Sequence, residues 1–276
     1  MPVRILFIGE IVSRPGIFAI KTNLHKLKEK YRPDLVIANG DGTTGGYGLG
    51  KTHAIYLRKL GIDILTGGDQ IYYKKDMVAG FDQTFHVLRP ANYPPGNPGR
   101  GWRTINAGNV KIGVISLLGL AGFSRVHLSN PFNFLPEIFK RLQEETTSIL
   151  LDFHSVTTAE KATMALHSDG KLSAMIGTGM RVLTADAEIL PGGTAVLSDA
   201  GRTGSIDSVN GYDPKTEIQQ FMTAIPEKSM DCWNGLEIQG AVIDIGDDGK
   251  ATAITPFRHV VTERPDPASR QDREEE

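Results

Sequence analysis

The sequence lacks the marks of a disulfide-stabilised or membrane-spanning protein. Its single cysteine, Cys232, excludes an intramolecular disulfide and fits a reducing cytoplasm. We expect Cys232 to be a small core residue rather than a catalytic thiol. No apolar run approaches the roughly 20 residues that a membrane helix needs. The strand pattern of Val3–Ile8 leaves no room for the basic segment of a signal peptide, so we expect a cytoplasmic protein.

Excess charge of one sign is also missing. The 276 residues contain 30 Lys and Arg against 32 Asp and Glu, which gives a formal net charge of -2. A basic excess would point to nucleic acid or to an anionic membrane, so we expect neither as a partner. The hydrophobic share of 40% and the charged share of 22% are typical of a soluble globular domain.

Short apolar runs alternate with helical patterns along the chain, which predicts an α/β fold. The early strands are apolar throughout, as in sheets buried on both faces. Strands joined partly by helices and partly by hairpins predict a sandwich of two mixed β-sheets flanked by helices. The predicted strands are Ile5–Gly9, Asp34–Ala38, Asp63–Thr66, Lys111–Leu118, Ser148–Phe153, Ser173–Gly177, Ala195–Ser198, Gly240–Ile245 and Ala251–Pro256, and the predicted helices are Ile17–Lys30, Lys51–Leu60, Pro136–Glu145, Thr157–His167 and Pro214–Thr223.

One domain is predicted over residues 1–261. The segment Arg89–Trp102 is rich in Pro, Gly and Asn and is expected to be a long ordered loop. A linker between two domains is the less favoured alternative, because the strand pattern resumes directly after it. Residues 262–276 contain almost no apolar side chain and are predicted to be disordered.

Several predicted strands end where a glycine stands beside a polar or charged residue. In α/β folds, ligands bind outside the carboxyl ends of the strands, so these corners are expected to converge on one rim. Carboxylates and an imidazole gathered there suit a divalent cation. A single corner of this kind is more often ordinary turn or helix-cap chemistry, whereas five of them favour a site. The corners are Gly9-Glu10, Asn39–Gly42, Gly67–Gln70, Asp152–His154 and Gly177–Arg181.

Longer motifs in the chain resemble the YmdB-type metallophosphoesterases, a branch of the calcineurin-like phosphoesterase superfamily that acts on phosphodiesters, including cyclic nucleotides. The likeness covers about Arg4 to Pro256. The motifs that carry it are R-I-L-F-I-G at Arg4–Gly9, L-R-P-A-N-Y-P-P-G at Leu88–Gly96, D-F-H at Asp152–His154, T-A-D at Thr184–Asp186, I-L-P-G-G-T-A at Ile189–Ala195, D-x-G-x-T-G at Asp199–Gly204 and D-S-V at Asp207–Val209.

The resemblance implies a pair of metal ions, usually iron or manganese, but four of the five ligand motifs are altered here. The usual Gly-Asp is Gly9-Glu10, and the usual Asn-Gly-Glu-Asn is Asn39-Gly40-Asp41-Gly42. Asp152-Phe153-His154 is unchanged. The metal ligands that remain by this resemblance are Glu10, Asp41, Asp69 and His154.

The other two altered motifs remove an acid and two imidazoles. The usual Gly-Asn-His is Gly68-Asp69-Gln70, and Gln70 at the position of the general acid cannot deliver a proton. The usual Gly-Thr-His-Thr-His ends in Gly179, Met180 and Arg181, so both imidazoles are lost at Gly179 and Arg181. We therefore expect either no cofactor or one weakly bound Mg²⁺, Mn²⁺ or Ca²⁺, and no Fe/Mn pair.

Arg181 introduces a permanent cation where the family has a metal ligand. Without metal, crowded carboxylates repel one another, and a guanidinium among them would offset that repulsion. The hypothesis is that Arg181 occupies the position of one metal, with bidentate bonding available to Glu10 or Asp41. The alternative is a surface arginine on a displaced loop.

These changes predict a pseudoenzyme or a very weak enzyme that keeps a binding or regulatory role. The alternative is an active phosphodiesterase that uses a single divalent ion. In both cases the expected ligand is a nucleotide or another phosphodiester. Relatives of this type often form dimers or tetramers, so a homo-oligomer is expected, and a purely structural role in such an assembly is a third possibility. The residues expected to line the rim are Asn39, Gly42, Tyr72 and Asp199.

Overall fold

The structure of the chain is a computed structural model that describes residues 2–123 and 128–264. Among these residues, no helix is both long and apolar enough to cross a membrane. The helices are α1 (Ser13–Tyr31), α2 (Lys51–Leu60), α3 (Lys75–Gly80), α4 (Pro131–Leu142), α5 (Thr158–Ser168) and α6 (Pro214–Thr223), and a single 3₁₀ turn follows α3 at Phe81–Gln83.

The strands form two mixed sheets, one of eight strands and one of six. The strands are β1 (Val3–Ile8), β2 (Glu10–Ile11), β3 (Leu35–Asn39), β4 (Ile64–Thr66), β5 (Val87–Leu88), β6 (Trp102–Ala107), β7 (Val110–Leu118), β8 (Ser148–His154), β9 (Ala174–Thr178), β10 (Glu188–Ile189), β11 (Ala195–Leu197), β12 (Arg202–Ser205), β13 (Leu236–Ile245) and β14 (Ala251–Val260). In the first sheet the order is β2-β12-β13-β1-β3-β4-β5, with β14 paired to β13, and in the second it is β10-β11-β9-β8-β7-β6.

The two sheets pack face to face and helices cover their outer faces. Phe7 and Ile37 of the first sheet share a buried cluster with Leu150 and Ile176 of the second. A second cluster joins α1 and α2 to the outer face of the first sheet, and a third joins α4 and α5 to the second sheet. The predicted α/β sandwich of two mixed sheets with flanking helices is therefore confirmed.

The predicted elements are present, but α4 starts earlier than predicted, and α3, β2, β5, β6, β10 and β12 were not predicted. This helix begins at Pro131, after Asn130 accepts a hydrogen bond from the Phe132 amide, so Pro136 lies inside the helix rather than at its start. The asparagine cap and the first-turn proline fix the start. The unpredicted strand β6 has mostly half-buried residues and therefore no apolar run.

The predicted tail falls largely outside the described residues, which end at Arg264. Glu263, near its start, accepts a 2.7 Å hydrogen bond from Asn23 of α1. The extent of the domain and the expected dimer or tetramer stay predictions.

Candidate metal centre

Three of the predicted metal ligands meet at the carboxyl ends of parallel strands. Asp41 follows β3, Asp69 follows β4, and His154 is the last residue of β8. One ligand atom from each lies within 4.8 Å of the other two. The Nε2 atom of His154 is 3.4 Å from Oδ1 of Asp69 and 3.9 Å from Oδ2 of Asp41.

Backbone amides hold the Asp41 carboxylate in place. Oδ1 accepts a 2.6 Å hydrogen bond from the amide of Gly68, and Oδ2 accepts a 3.0 Å bond from the amide of Gln70. Burial raises the pKa of Asp41 to about 7, against the opposing attraction of His154. A cation at this point would favour the charged carboxylate and offset the cost of its burial.

His154 is oriented by a chain of hydrogen bonds behind it. Its Nδ1 atom is 3.0 Å from Oγ1 of Thr178, which donates a 2.7 Å bond to Oδ1 of Asp152. Because the Thr178 hydroxyl proton is used on Asp152, its oxygen accepts from Nδ1–H, and Nε2 is the ring nitrogen that faces the cluster. Burial lowers the pKa of His154, but the hydrogen bond with Asp69 and the charges of Asp41 and Glu10 outweigh it and raise the pKa to about 9.

Asp152 is therefore a support and not a ligand. Its second carboxylate oxygen accepts bonds from Thr66 Oγ1 at 2.5 Å and from Asn39 Nδ2 at 2.9 Å. Burial raises its pKa, while these hydrogen bonds favour the charged form. Asn39, expected at the rim, is fully buried in this network.

Glu10, the fourth predicted ligand, is paired with Arg181. Nη2 of Arg181 lies 2.7 Å from Oε1 of Glu10, and the two side chains are 12% and 3% exposed. The expected contact is confirmed, although a single hydrogen bond forms instead of a bidentate pair. Burial disfavours the charged guanidinium, but the Glu10 charge outweighs it and raises the pKa of Arg181.

The surroundings of Arg181 fix its direction. Nη1 lies 3.3 Å from the Tyr212 hydroxyl oxygen and 3.3 Å from the carbonyl oxygen of Asn210. The Tyr212 hydroxyl in turn donates a 2.7 Å bond to the carbonyl of Gly46. Gly42 packs against the pair, because a Cβ there would lie 2.7 Å from Oε1 of Glu10 and 2.8 Å from Nη2 of Arg181.

Gly179 and Arg181, where the resemblance places imidazoles, lie on a left-handed turn after β9. Gly179 has φ 101° and Arg181 has φ 58°. A Cβ at Gly179 would lie 3.1 Å from Nε2 of His154, so this position faces the cluster. Any side chain at Gly179 would adopt a backbone conformation that favours glycine.

Gln70 lies beside the cluster with an unpaired side-chain oxygen. Oε1 is buried and has no hydrogen-bond partner within the part of the chain that the structure describes. A buried acceptor without a donor costs free energy, which points to a donor that a ligand or water supplies.

Two other residues expected at the rim have packing roles. Tyr72 donates a 2.7 Å bond to the carbonyl of Pro98 and packs edge-on against Phe81 and Tyr93. Asp199 was expected at the rim and is fully buried beneath it, because its Oδ2 accepts from Lys161 Nζ at 2.7 Å and from the Met180 amide at 2.9 Å.

Sequence reasoning missed Tyr212, Thr178 and Lys161 as parts of the site. Tyr212 follows the D-S-V motif closely, and Thr178 stands inside the altered Gly177–Arg181 corner, so motif position was the available signal for these two. Lys161 carried no signal, because a lysine in an amphipathic helix is ordinarily exposed, whereas this one is fully buried.

The YmdB-like protein family model matches residues 6–257. This chain belongs to the YmdB-like protein family. It is 38% identical over 250 residues to the 2′,3′-cyclic-nucleotide 2′-phosphodiesterase of Bacillus subtilis strain 168, an alignment that covers 90% of this chain and 93% of that protein.

Solved structures support membership in the YmdB-like family. A phosphatase from Mycoplasma pneumoniae superposes with a TM-score of 0.89 at 29% identity, covering 98% of this chain and 96% of that chain. A hypothetical protein from Thermus thermophilus superposes with a TM-score of 0.86 at 31% identity, covering 93% of this chain and 99% of that chain.

The donor set of this YmdB-like chain fits one divalent cation. Asp41 and Asp69 offer carboxylate oxygens, and His154 offers Nε2 once a cation displaces its proton, a combination that hard and borderline divalent ions accept. It does not fit the pair that the resemblance implies, because Glu10 is bonded to a guanidinium and a guanidinium cannot coordinate metal.

Proposed function

We propose that this chain is a one-cation member of its family that binds phosphodiesters of the 2′,3′-cyclic nucleotide class and hydrolyses them slowly. Asp41, Asp69 and His154 would hold one Mg²⁺, Mn²⁺ or Ca²⁺, and Arg181 would occupy the position of the second. The single observation that carries the proposal is the 2.7 Å contact between Arg181 and Glu10 beside the ligand cluster.

The substrate class comes from the Bacillus subtilis relative, a 2′,3′-cyclic-nucleotide 2′-phosphodiesterase that aligns along nearly its full length. When bound, the cation would polarise a phosphate oxygen and stabilise charge on it. Arg181 adds a fixed positive charge next to this position, because its guanidinium faces the same rim.

Slow turnover is proposed because no proton donor stands at Gln70. Its amide donates hydrogen bonds but transfers no proton at neutral pH. A positioned general acid typically contributes about 10²–10⁴-fold to a rate. Glutamine at position 70 therefore lowers the rate of hydrolysis more than it lowers the affinity for the phosphodiester.

The first experiment measures cation stoichiometry and turnover together. Protein purified without chelators is analysed by plasma mass spectrometry, titrated with Mn²⁺ by calorimetry, and assayed on 2′,3′-cyclic AMP beside the Bacillus subtilis relative. We expect about one equivalent of cation and a rate roughly 10²-fold or more below that of the relative. Asp69→Asn should weaken Mn²⁺ binding at least tenfold, whereas the exposed Asp82→Asn should not change it.

Three outcomes would overturn the proposal. Two equivalents of cation would show that Arg181 does not fill a metal position. No binding at millimolar Mn²⁺ would remove the cation site. Turnover equal to that of the relative would favour the alternative of a fully active single-ion phosphodiesterase.

A gain-of-ligand variant tests the same point from the other side. Arg181→His restores an imidazole at a position the family uses, and Arg181→Gln removes the charge without supplying a ligand of that kind. We expect additional Mn²⁺ to bind to Arg181→His but not to Arg181→Gln. Equal stoichiometry in both would argue against a displaced metal.

A further inference from the structure

A second polar depression lies around β5 and β6 and takes no part in the metal centre. Three cavities of about 280, 330 and 280 Å³ each have Arg100 in their lining. We call the surface around Arg100 the arginine groove, and define it by five residues that each line at least one of these cavities: Phe85, Arg89, Arg100, Trp102 and Arg103.

Arg89 is the most informative residue of the arginine groove. It is buried, with 8% of the residue exposed, and it lines the 330 Å³ cavity. Nη1 donates to the carbonyl oxygens of Pro90 at 2.8 Å and Ala91 at 3.2 Å. Nε is buried and finds no acceptor in the described ranges 2–123 and 128–264. A buried guanidinium with an unused donor points to a ligand that supplies acceptor oxygens.

The arginine groove keeps its positive charge. The ion pairs formed within the described part of the chain include none with Arg89, Arg100 or Arg103. Two carboxylates also line these cavities, Glu145 in the first, which is 3.3 Å from Nζ of Lys111, and Asp82 in the third, so three arginines face two carboxylates. An anion can therefore use the positive charge of the groove.

The arginines are crowded by like charge. Nη1 of Arg103 is bonded to the carbonyl of Phe85, which fixes its guanidinium at the groove wall. Burial and the nearby charges of Arg100 and Arg58 lower the pKa of Arg103. An anion bound at Arg100 would offset part of this like charge, and guanidinium groups match the oxygens of a phosphate geometrically.

Aromatic rings flank the positive charges. Trp102 lines two of the three cavities, and its ring lies under the Arg141 guanidinium at 5.9 Å. Phe85 is 62% exposed at the same place. Aromatic rings beside arginines, here the exposed Phe85 and the half-buried Trp102, are surfaces on which nucleobases stack.

We propose that the arginine groove binds a nucleoside monophosphate, with the phosphate on Arg89 and Arg100 and the base against Trp102 and Phe85. The proposal does not depend on the function of the metal centre. The cavity of about 330 Å³, lined by Arg89, Arg100 and Trp102, takes the phosphate, and the cavity of about 280 Å³ that shares Arg100 and Trp102 and includes Phe85 takes the base.

Intrinsic fluorescence gives a local test, because the chain has two tryptophans, Trp102 and Trp233. Trp233→Phe leaves Trp102 as the reporter. This protein, treated with chelator so that the metal centre does not compete, is titrated with AMP, adenosine and inorganic phosphate. We expect AMP to change the Trp102 emission and to bind more tightly than either of its parts.

Charge variants then assign the phosphate contact. Arg100 is exposed and forms no side-chain hydrogen bond with the described residues, so Arg100→Gln should fold normally and weaken AMP binding roughly tenfold. Arg89→Gln should weaken it at least as much, and circular dichroism checks its fold. Arg32→Gln, an exposed arginine elsewhere, is the matched control and should leave binding unchanged.

The proposal fails if AMP produces no change in Trp102 emission or in calorimetric heat at millimolar concentration. It also fails if Arg100→Gln and Arg32→Gln weaken binding equally, which would indicate non-specific attraction. If Asp69→Asn or Arg181→Gln weakens AMP binding and Arg100→Gln does not, AMP binds at the metal centre instead of the arginine groove.

Discussion

The Nη2 atom of Arg181 lies 2.7 Å from Oε1 of Glu10, and both side chains are almost entirely removed from solvent. A buried ion pair is costly to break from one side, because the remaining charge loses its partner but stays desolvated. The stability of this chain should therefore depend on the pair as a unit.

We expect Arg181→Gln to lower the free energy of unfolding by about 3–5 kcal/mol, because it leaves the Glu10 carboxylate buried and unpaired. The double variant Glu10→Gln, Arg181→Gln should recover most of that loss, since neither charge remains. Urea denaturation of the four proteins in this cycle at neutral pH measures the coupling. Additive losses would show that the two side chains do not interact in solution.

Gly68→Ala should disable the metal centre without removing a ligand. A Cβ at Gly68 would lie 2.4 Å from Nε2 of His154, so the imidazole has to move. We expect Mn²⁺ affinity to fall at least tenfold in calorimetry. Gly204→Ala is the control, because the nearest atom to its Cβ would be 3.6 Å away. Unchanged affinity in Gly68→Ala would mean that His154 is not a ligand.

The buried ion pair between Lys161 and Asp199 should stabilise the turn after β9 that carries Arg181. Both side chains are fully buried, Nζ is 2.7 Å from Oδ2, and the same oxygen holds the Met180 amide. We expect Lys161→Met to cost about 3–5 kcal/mol in urea denaturation. The exposed Lys171→Met, on the loop after α5, should cost less than about 1 kcal/mol. A comparable loss in both variants would contradict the expected role of burial.

His53 should make stability fall on acidification. Burial lowers its pKa below the ordinary 6.5, with Asp76 opposing and Lys74 adding to the effect, and Nδ1 is 2.8 Å from Oγ1 of Thr44. The pKa of His53 is lower in the folded state than in the unfolded state. The chain is therefore most stable above the unfolded pKa, where the ring is neutral in both states, and it loses stability as pH falls through the two pKa values.

Urea denaturation at a series of pH values from about 7.5 down to about 5.5 tests the effect of His53 by difference. The unfolding free energy of the parent minus that of His53→Gln should decrease as the pH falls. Protonation of His53 favours the unfolded state of the parent, and the variant has no group that titrates at this position. His25→Gln, in which an exposed helical histidine is replaced, should run parallel to the parent. A constant gap for His53→Gln would show that its protonation is not linked to folding.

The order of strands and helices was predictable because buried parallel strands carry continuous apolar runs. Leu35–Asn39 and Ser148–His154 are buried at every position, and both were predicted to within a residue at each end. Strands with one exposed face or with only two residues, such as β5 and β6, have no such run. These strands form through pairing with their neighbours, which the local sequence does not record.

The site was partly predictable for a related reason. Asp41, Asp69 and His154 each follow or end a parallel strand, and parallel strands bring their carboxyl ends to one edge. The buried roles of Asp199 and Asn39 were not predictable. The local sequence around a polar residue at a strand end is the same whether its side chain faces solvent or a buried partner.

The sequence by itself determined the sandwich, the family and the identity of the candidate cation ligands, since each depends on residue type and order along the chain. The tertiary structure decided which of these carboxylates is available to a cation and which is held in an ion pair. Glu10 and Arg181 are 171 residues apart and meet because the start of β2 and the turn after β9 lie at the same rim. A carboxylate becomes either a ligand or one half of an ion pair according to the charge placed beside it, and only folding places that charge.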